Sequence, residues 1–165
     1  MNMNDVCELF QNRLNLPYWH VSTGSIMDSV LITGCFEPIE NCTNRILENS
    51  DVYFKIHITS ASRYWNGTDA LTAERISGMK FRKTTGKTPQ EILQRVERWI
   101  QKQMEALLIK VSYIEWDTEE EDLPQEVEYP LSDFDFTDLD ESIGDRLSND
   151  YGFCHRGFHY SIRRK

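Results

Sequence analysis

The stretch VYFKIHIT, residues 52–59, alternates between two chemistries without a break. Val52, Phe54, Ile56 and Ile58 fall on one side of an extended chain, and Tyr53, Lys55, His57 and Thr59 on the other. Side chains of a strand point to opposite faces in turn, so this pattern predicts a strand with one face in a core and the other towards water. Such a strand needs neighbours for its backbone N–H and C=O groups. Upstream, residues 18–22 and 25–36 are rich in β-branched and aromatic residues and flank Gly24, which predicts two strands joined at a turn.

Helices are expected around this sheet. Val6, Leu9, Phe10 and Leu14 recur at helical spacing in residues 5–15. Pro38 suits a first helical turn, and Ile39, Cys42, Ile46 and Leu47 share one face of 37–49. Asn66-Gly67-Thr68 predicts a turn, followed by a short helix over 69–77 that Gly78 would stop and a basic strand over 79–84. The strongest helical signal is 89–109, where Thr88 can cap, Pro89 suits the first position and Glu91 can reach back. Its stripe is Leu93, Val96, Ile100, Met104, Leu107 and Leu108. Strands over 110–116 and 153–162 are expected to complete the sheet. The predicted class is α+β: a single domain spanning 1–165, with a mostly antiparallel sheet and helices packed on one side.

A chain of 165 residues with 39% hydrophobic and 12% aromatic content encloses a core and is globular rather than disordered. It does not open on a basic leader and apolar run, and no stretch approaches the ~20 apolar residues that a bilayer span requires. A cytoplasmic protein away from membranes is therefore expected. Cys7, Cys35, Cys42 and Cys154 are too scattered for a disulfide scaffold and are expected to be reduced, buried thiols.

The net charge of -9 hides a division. Residues 115–150 hold fifteen acids and one base, Arg146, whereas the rest of the chain holds twelve acids and seventeen bases. Nine of those bases lie in 75–110. The acidic segment 117–150 is not built like a solvated tail, because Leu123, Val127, Tyr129, Leu131, Phe134, Phe136, Leu139, Ile143 and Leu147 run through it. If 132–138 is extended, Asp133 and Asp135 project to one side and Phe134 and Phe136 to the other. Like-facing carboxylates would then stand ~6.6 Å apart, about twice the ~3.4 Å rise per nucleotide of a DNA strand.

A spaced row of carboxylates on an apolar anchor suits a partner whose basic groove normally holds nucleic acid. Glu119, Glu120, Glu121, Asp122, Asp133, Asp135, Asp138, Asp140 and Glu141 would carry the field, while Tyr129, Phe134 and Phe136 would stiffen the strip or anchor in the partner. In charge and size the chain resembles the small acidic anti-restriction and anti-CRISPR inhibitors of bacteriophages. That likeness implies a non-enzymatic nucleic-acid mimic that blocks a DNA- or RNA-binding enzyme or defence complex, acting in the host cytoplasm if phage-encoded. The competing expectation is that the acidic limb folds back on 75–110 as surface ion pairs, each worth ~0–1 kcal/mol.

Other chemistries fit less well. Asp133, Asp135 and Thr137 begin like a calcium loop, but its sixth and twelfth positions, Gly and Glu by rule, hold Asp138 and Gly144. Three of four histidines sit in His-x-Ser/Thr: His20-Val21-Ser22, His57-Ile58-Thr59 and His159-Tyr160-Ser161. Two such strands side by side would place two imidazoles and two hydroxyls around one phosphate. The pattern resembles the paired motifs of two-histidine phosphoesterases, which implies a phosphodiesterase acting on nucleotides through His57, Thr59, His159 and Ser161. Zinc would have to draw on Cys35, Cys42, Cys154, His155 and His159, whose spacing lacks the close pairs of structural sites. TTGKT, residues 84–88, ends like a phosphate loop, but Phe81 stands where its first Gly is required.

Direct binding of single-stranded nucleic acid is the last candidate. It would use Lys80, Arg82, Lys83, Lys87, Arg95, Arg98 and Arg163-Arg164-Lys165, with Trp99, Tyr64 and Trp65 for stacking. Overall acidity opposes it. The expected role is binding of a basic partner protein, with no cofactor and no metal.

Overall fold

The alternating stretch is the middle strand of a five-stranded sheet. In the computed structural model, which describes residues 2–14, 16–24, 28–38, 50–62, 64–119, 122–136 and 138–165, the chain divides into two compact units, Met1–Gln101 and Lys102–Lys165. Each is built on an antiparallel sheet, so the α+β class read from the sequence is the class of the fold.

The first unit strings β1 (Tyr18–Thr23), β2 (Ser29–Cys35), β3 (Tyr53–Ser60), β4 (Leu71–Gly78) and β5 (Thr84–Gly86) into a meander in sequence order. Phe54, Ile56 and Ile58 of β3 are wholly buried, whereas Lys55, His57 and Thr59 are half-buried. Register carries the apolar face across the sheet: Ile56 stands opposite Ile32, and Ile58 opposite Val30 and Ala73. Gly34 pairs with Phe54, whose ring fills the space where a Cβ would lie, 2.3 Å away. Only glycine fits there.

Two helices belong to this part of the chain. In α1 (Met3–Gln11) the Asn2 side chain accepts the Asn4 and Asp5 N–H groups, and the Asp5 carboxylate returns to the Asn2 N–H. That capping box starts the helix earlier than the apolar spacing indicates. In α2 (Pro89–Ala106) Thr88 Oγ1 accepts the Glu91 N–H at 3.2 Å, and Glu91 reaches back to the Lys87 N–H at 2.8 Å. Ile92, Leu93, Val96 and Ile100 are buried, and Trp99 meets Phe54 edge-on with ring centroids 4.9 Å apart.

Three expectations about elements change. The helix expected over 69–77 is strand β4, because Leu71 and Ala73 lie two apart and meet Ser60 and Ile58 in register. The inward face of β3 needed a partner on that side, and ladder bonds outweigh weak local preference. A bulge between Lys55 and Ile56 then leaves Ile76 half exposed, at 52%. Residues 79–83 are irregular rather than a strand, and β5 begins at Thr84. Finally, α2 stops at Ala106, and Leu107 opens the next strand. The helix expected over 37–49 lies outside the described residues from 39 onward.

The second unit orders its strands β7-β6-β8: β6 (Leu107–Trp116), β7 (Glu126–Pro130) and β8 (His155–Arg164). A 3-10 turn, Leu131–Asp133, and helix α3 (Leu139–Tyr151) follow β7. Ile109 pairs with Tyr129 on one side and Ile162 on the other, so one face gathers the core. Leu131, Leu139, Ile143 and Leu147 are buried with it. Gly144 of α3 approaches His155 so closely that a Cβ there would meet Nε2 at 2.9 Å. Among the described residues, no helix is long and apolar enough to cross a membrane.

Candidate functional site

Charge separates along the chain division. The first unit holds eleven bases and eleven acids, and the second seven bases and sixteen acids, so the second carries the whole net charge of -9.

The scaffold beneath the acids of the second unit is aromatic. Tyr129 and Phe134 are buried and meet edge-on, with centroids 5.6 Å apart. The Arg146 guanidinium lies over the Tyr129 ring, 5.2 Å from its centroid, and bonds the Asp150 carboxylate at 2.8 Å, one helical turn on. That bond holds the Asp150 carboxyl below its ordinary range. Burial first, then its interaction with the Asp150 carboxylate, raises the Tyr129 pKa well above the ordinary phenol value.

The acids are laid over this scaffold in a bend rather than a straight strip. Ser132 and Asp133 close the 3-10 turn, Phe134 resumes extended backbone, and Asp138 caps α3 by accepting the Glu141 N–H at 3.2 Å. The extended backbone expected over 132–138 therefore begins only at Phe134; Asp133 and Asp135 are exposed, Phe134 is buried and Phe136 half-buried. Asp140 and Glu141 occupy the first turn of α3, where the helix dipole favours negative charge. Asp122, Asp133, Asp135, Asp138, Asp140, Glu141 and Asp145 are all exposed, as is Glu119. Glu120 and Glu121 lie outside the described residues.

Ion pairs sort these acids into two groups. Asp117 bonds Arg156, Glu126 bonds Lys110 at 2.9 Å, Glu128 bonds Arg163, and Asp150 bonds Arg146. Asp133, Asp138, Asp140, Glu141 and Asp145 enter no ion pair among the described residues. The partners of the first group come from β6, α3 and β8 of the same unit. Of them only Lys110 belongs to the basic stretch 75–110, so that stretch supplies one of the four pairs.

The histidine tripeptides fall on separate sheets. His57 and Thr59 are on β3, which pairs with β2 and β4, whereas His159 and Ser161 are on β8, which pairs with β6. The two strands are not neighbours in either sheet. His20 on β1 and His57 on β3 are separated by β2. The cysteines part company too. Cys7 and Cys35 are buried, and burial followed by the nearby Glu8 charge raises the Cys7 thiol pKa, which keeps it protonated and unreactive. Cys154, expected to be buried, is exposed, and Cys42 lies outside the described residues.

The basic stretch forms a groove within the first unit. Residues 81–85 make one wall, and Arg95 and Trp99, one turn apart on α2, make the other, of an open groove of about 470 Å3. Arg95 Nη1 donates to Thr84 Oγ1 at 2.5 Å and to the Thr85 carbonyl. The Trp99 indole N–H donates to the Lys80 carbonyl at 2.9 Å, and Phe81 stands edge-on to its ring with centroids 5.4 Å apart. Tyr64 is exposed, but Trp65 is buried, its indole N–H bonded to the Asp69 carbonyl at 2.9 Å, so it offers no stacking face. Arg163, Arg164 and Lys165 lie at the end of the second unit.

Sequence reasoning passed over Tyr113. It sits at a β6 irregularity with φ of 53° and its side chain 74% exposed, an unusual backbone for a non-glycine residue that turns an aromatic ring to solvent beside His159. Nothing in the local composition marks it.

No protein-family model matches this chain, and no curated protein or solved structure is significantly similar to it.

Proposed function

We propose that the second unit binds a basic, nucleic-acid-binding protein and blocks it by standing in for nucleic acid. The observation that carries this reading is the group Asp133, Asp138, Asp140, Glu141 and Asp145: exposed, outside every ion pair among the described residues, and set before and along the first half of an ordered helix. Carboxylates fixed in this way lose little conformational freedom on binding, and their common sign gives fast, salt-sensitive association. Self-repulsion among them is relieved when a cationic surface arrives. Tyr129 and Phe134, buried beneath, act in this account as the frame that holds the acids rather than as anchors in the partner. An anti-restriction or anti-CRISPR role in a bacterial cytoplasm is one setting in which such a blocker works.

The test is displacement. A protein captured by this chain at low salt should bind labelled DNA or RNA, and added chain should release that label in proportion to occupancy. Capture of a protein with no nucleic-acid site, or capture that leaves the label bound, contradicts the proposal.

A further inference from the structure

The groove between residues 81–85 and α2 joins three features that together suit a ligand. It is large enough for a nucleotide-sized molecule, at about 470 Å3. It carries three cations, Arg82, Lys83 and Arg95, with the hydroxyls of Thr84 and Thr85 beside them. Its aromatic surface comes from both sides, Phe81 on one wall and Trp99 on the other.

The cations are not equivalent. Arg95 spends one nitrogen, Nη1, on Thr84 and Thr85, which fixes the guanidinium, while Nε and Nη2 make no hydrogen bond among the described residues. Guanidinium held in this way offers two parallel donors to a phosphate. Arg82 is exposed and enters no ion pair among the described residues. Lys83 is bonded to Glu74 at 2.9 Å, but the pair is largely exposed, with Lys83 at 68%, and yields readily to a stronger anion. Trp99 is held in place by Lys80 and Phe54, so its ring is a fixed wall rather than a mobile one.

We propose that this groove binds a nucleoside monophosphate, with the phosphate on Arg82, Arg95 and Lys83 and the base against Trp99 and Phe81. A bare phosphate would leave the aromatic wall unused, and an apolar ligand would leave the cations unpaired. A long strand would carry more phosphates than the three cations that line the groove can meet. The proposal is independent of the acidic surface, since every residue it uses lies in the first unit.

Titration of the full chain with AMP, ribose 5-phosphate, adenosine and an eight-nucleotide dT strand tests it, followed by calorimetry and by the indole NMR signal of Trp99. AMP should bind and move that signal, and ribose 5-phosphate and adenosine should each bind more weakly. Arg82→Gln/Lys83→Gln, on exposed side chains that leave the fold intact, should weaken AMP at least about tenfold. Glu74→Gln, which frees Lys83, should tighten it. Failure of AMP to bind, or binding indifferent to these substitutions, overturns the proposal. Binding of the dT strand more than about tenfold tighter than AMP overturns it as well, because the occupant is then a polymer.

Discussion

Phe134 sets its ring edge-on to that of Tyr129, at 70° and with centroids 5.6 Å apart, directly between two stretches of acid. This contact converts a charged run into a surface. Without it, residues 132–136 have only the half-buried Phe136 to hold them against the core, and their carboxylates would repel one another into disorder. We predict that Phe134→Ala costs about 3 kcal/mol, the low end for a buried aromatic because the site lies near the surface. Urea unfolding followed by far-ultraviolet circular dichroism measures it, and a loss within experimental error would mean that the acids are not held by this ring.

Asp138 serves both the fold and the field, and substitution separates the two. As the N-cap of α3 it accepts the Glu141 N–H. Asp138→Ala should destabilise by about 1 kcal/mol, whereas Asp138→Asn keeps a capping oxygen and should be close to neutral. Paired urea curves decide this. Equal losses in both variants would mean that the charge, and not the cap, sets the stability there.

The Arg146–Asp150 bond predicts a titration. Asp150 has its pKa lowered chiefly by that hydrogen bond, so its folded value lies below the unfolded one. The contribution to stability is then present above the unfolded carboxyl range and is lost as pH falls through the folded pKa. Carboxyl-carbon NMR should place the Asp150 midpoint below the ordinary aspartate value, and Arg146→Gln should bring it back up. An unmoved midpoint in that variant would assign the lowering to another group.

Much of this architecture was legible because local signals agreed with one another. The β3 alternation announces both its faces, and Thr88, Pro89 and Glu91 mark the start of α2 three times over. Where signals were ambiguous, tertiary pairing decided. Leu71, Ala73 and Ile76 suit a helix or a strand, and only the empty side of β3 chose between them. Strand β7 lay hidden inside the acidic run, where Glu126-Val127-Glu128-Tyr129 reads first as charge. The exposed acids could be named from the sequence, but not which of them are neutralised, because Arg156 and Arg163 reach Asp117 and Glu128 through strand pairing. The groove was visible only in pieces, since Arg95 and Trp99 share a helix face but the wall opposite them comes from irregular residues 81–83 and the start of β5.

The most direct measurement of the central claim compares two baits in a bacterial lysate at low and at high salt. One is the natural chain, and the other carries Asp133→Asn, Asp138→Asn, Asp140→Asn and Glu141→Gln, changes that remove charge while keeping the cap. The natural chain should retain a nucleic-acid-binding protein at low salt and release it at high salt. The neutralised chain, folded to the same stability, should retain none. Equal capture by both baits, or retention that salt does not touch, would contradict it.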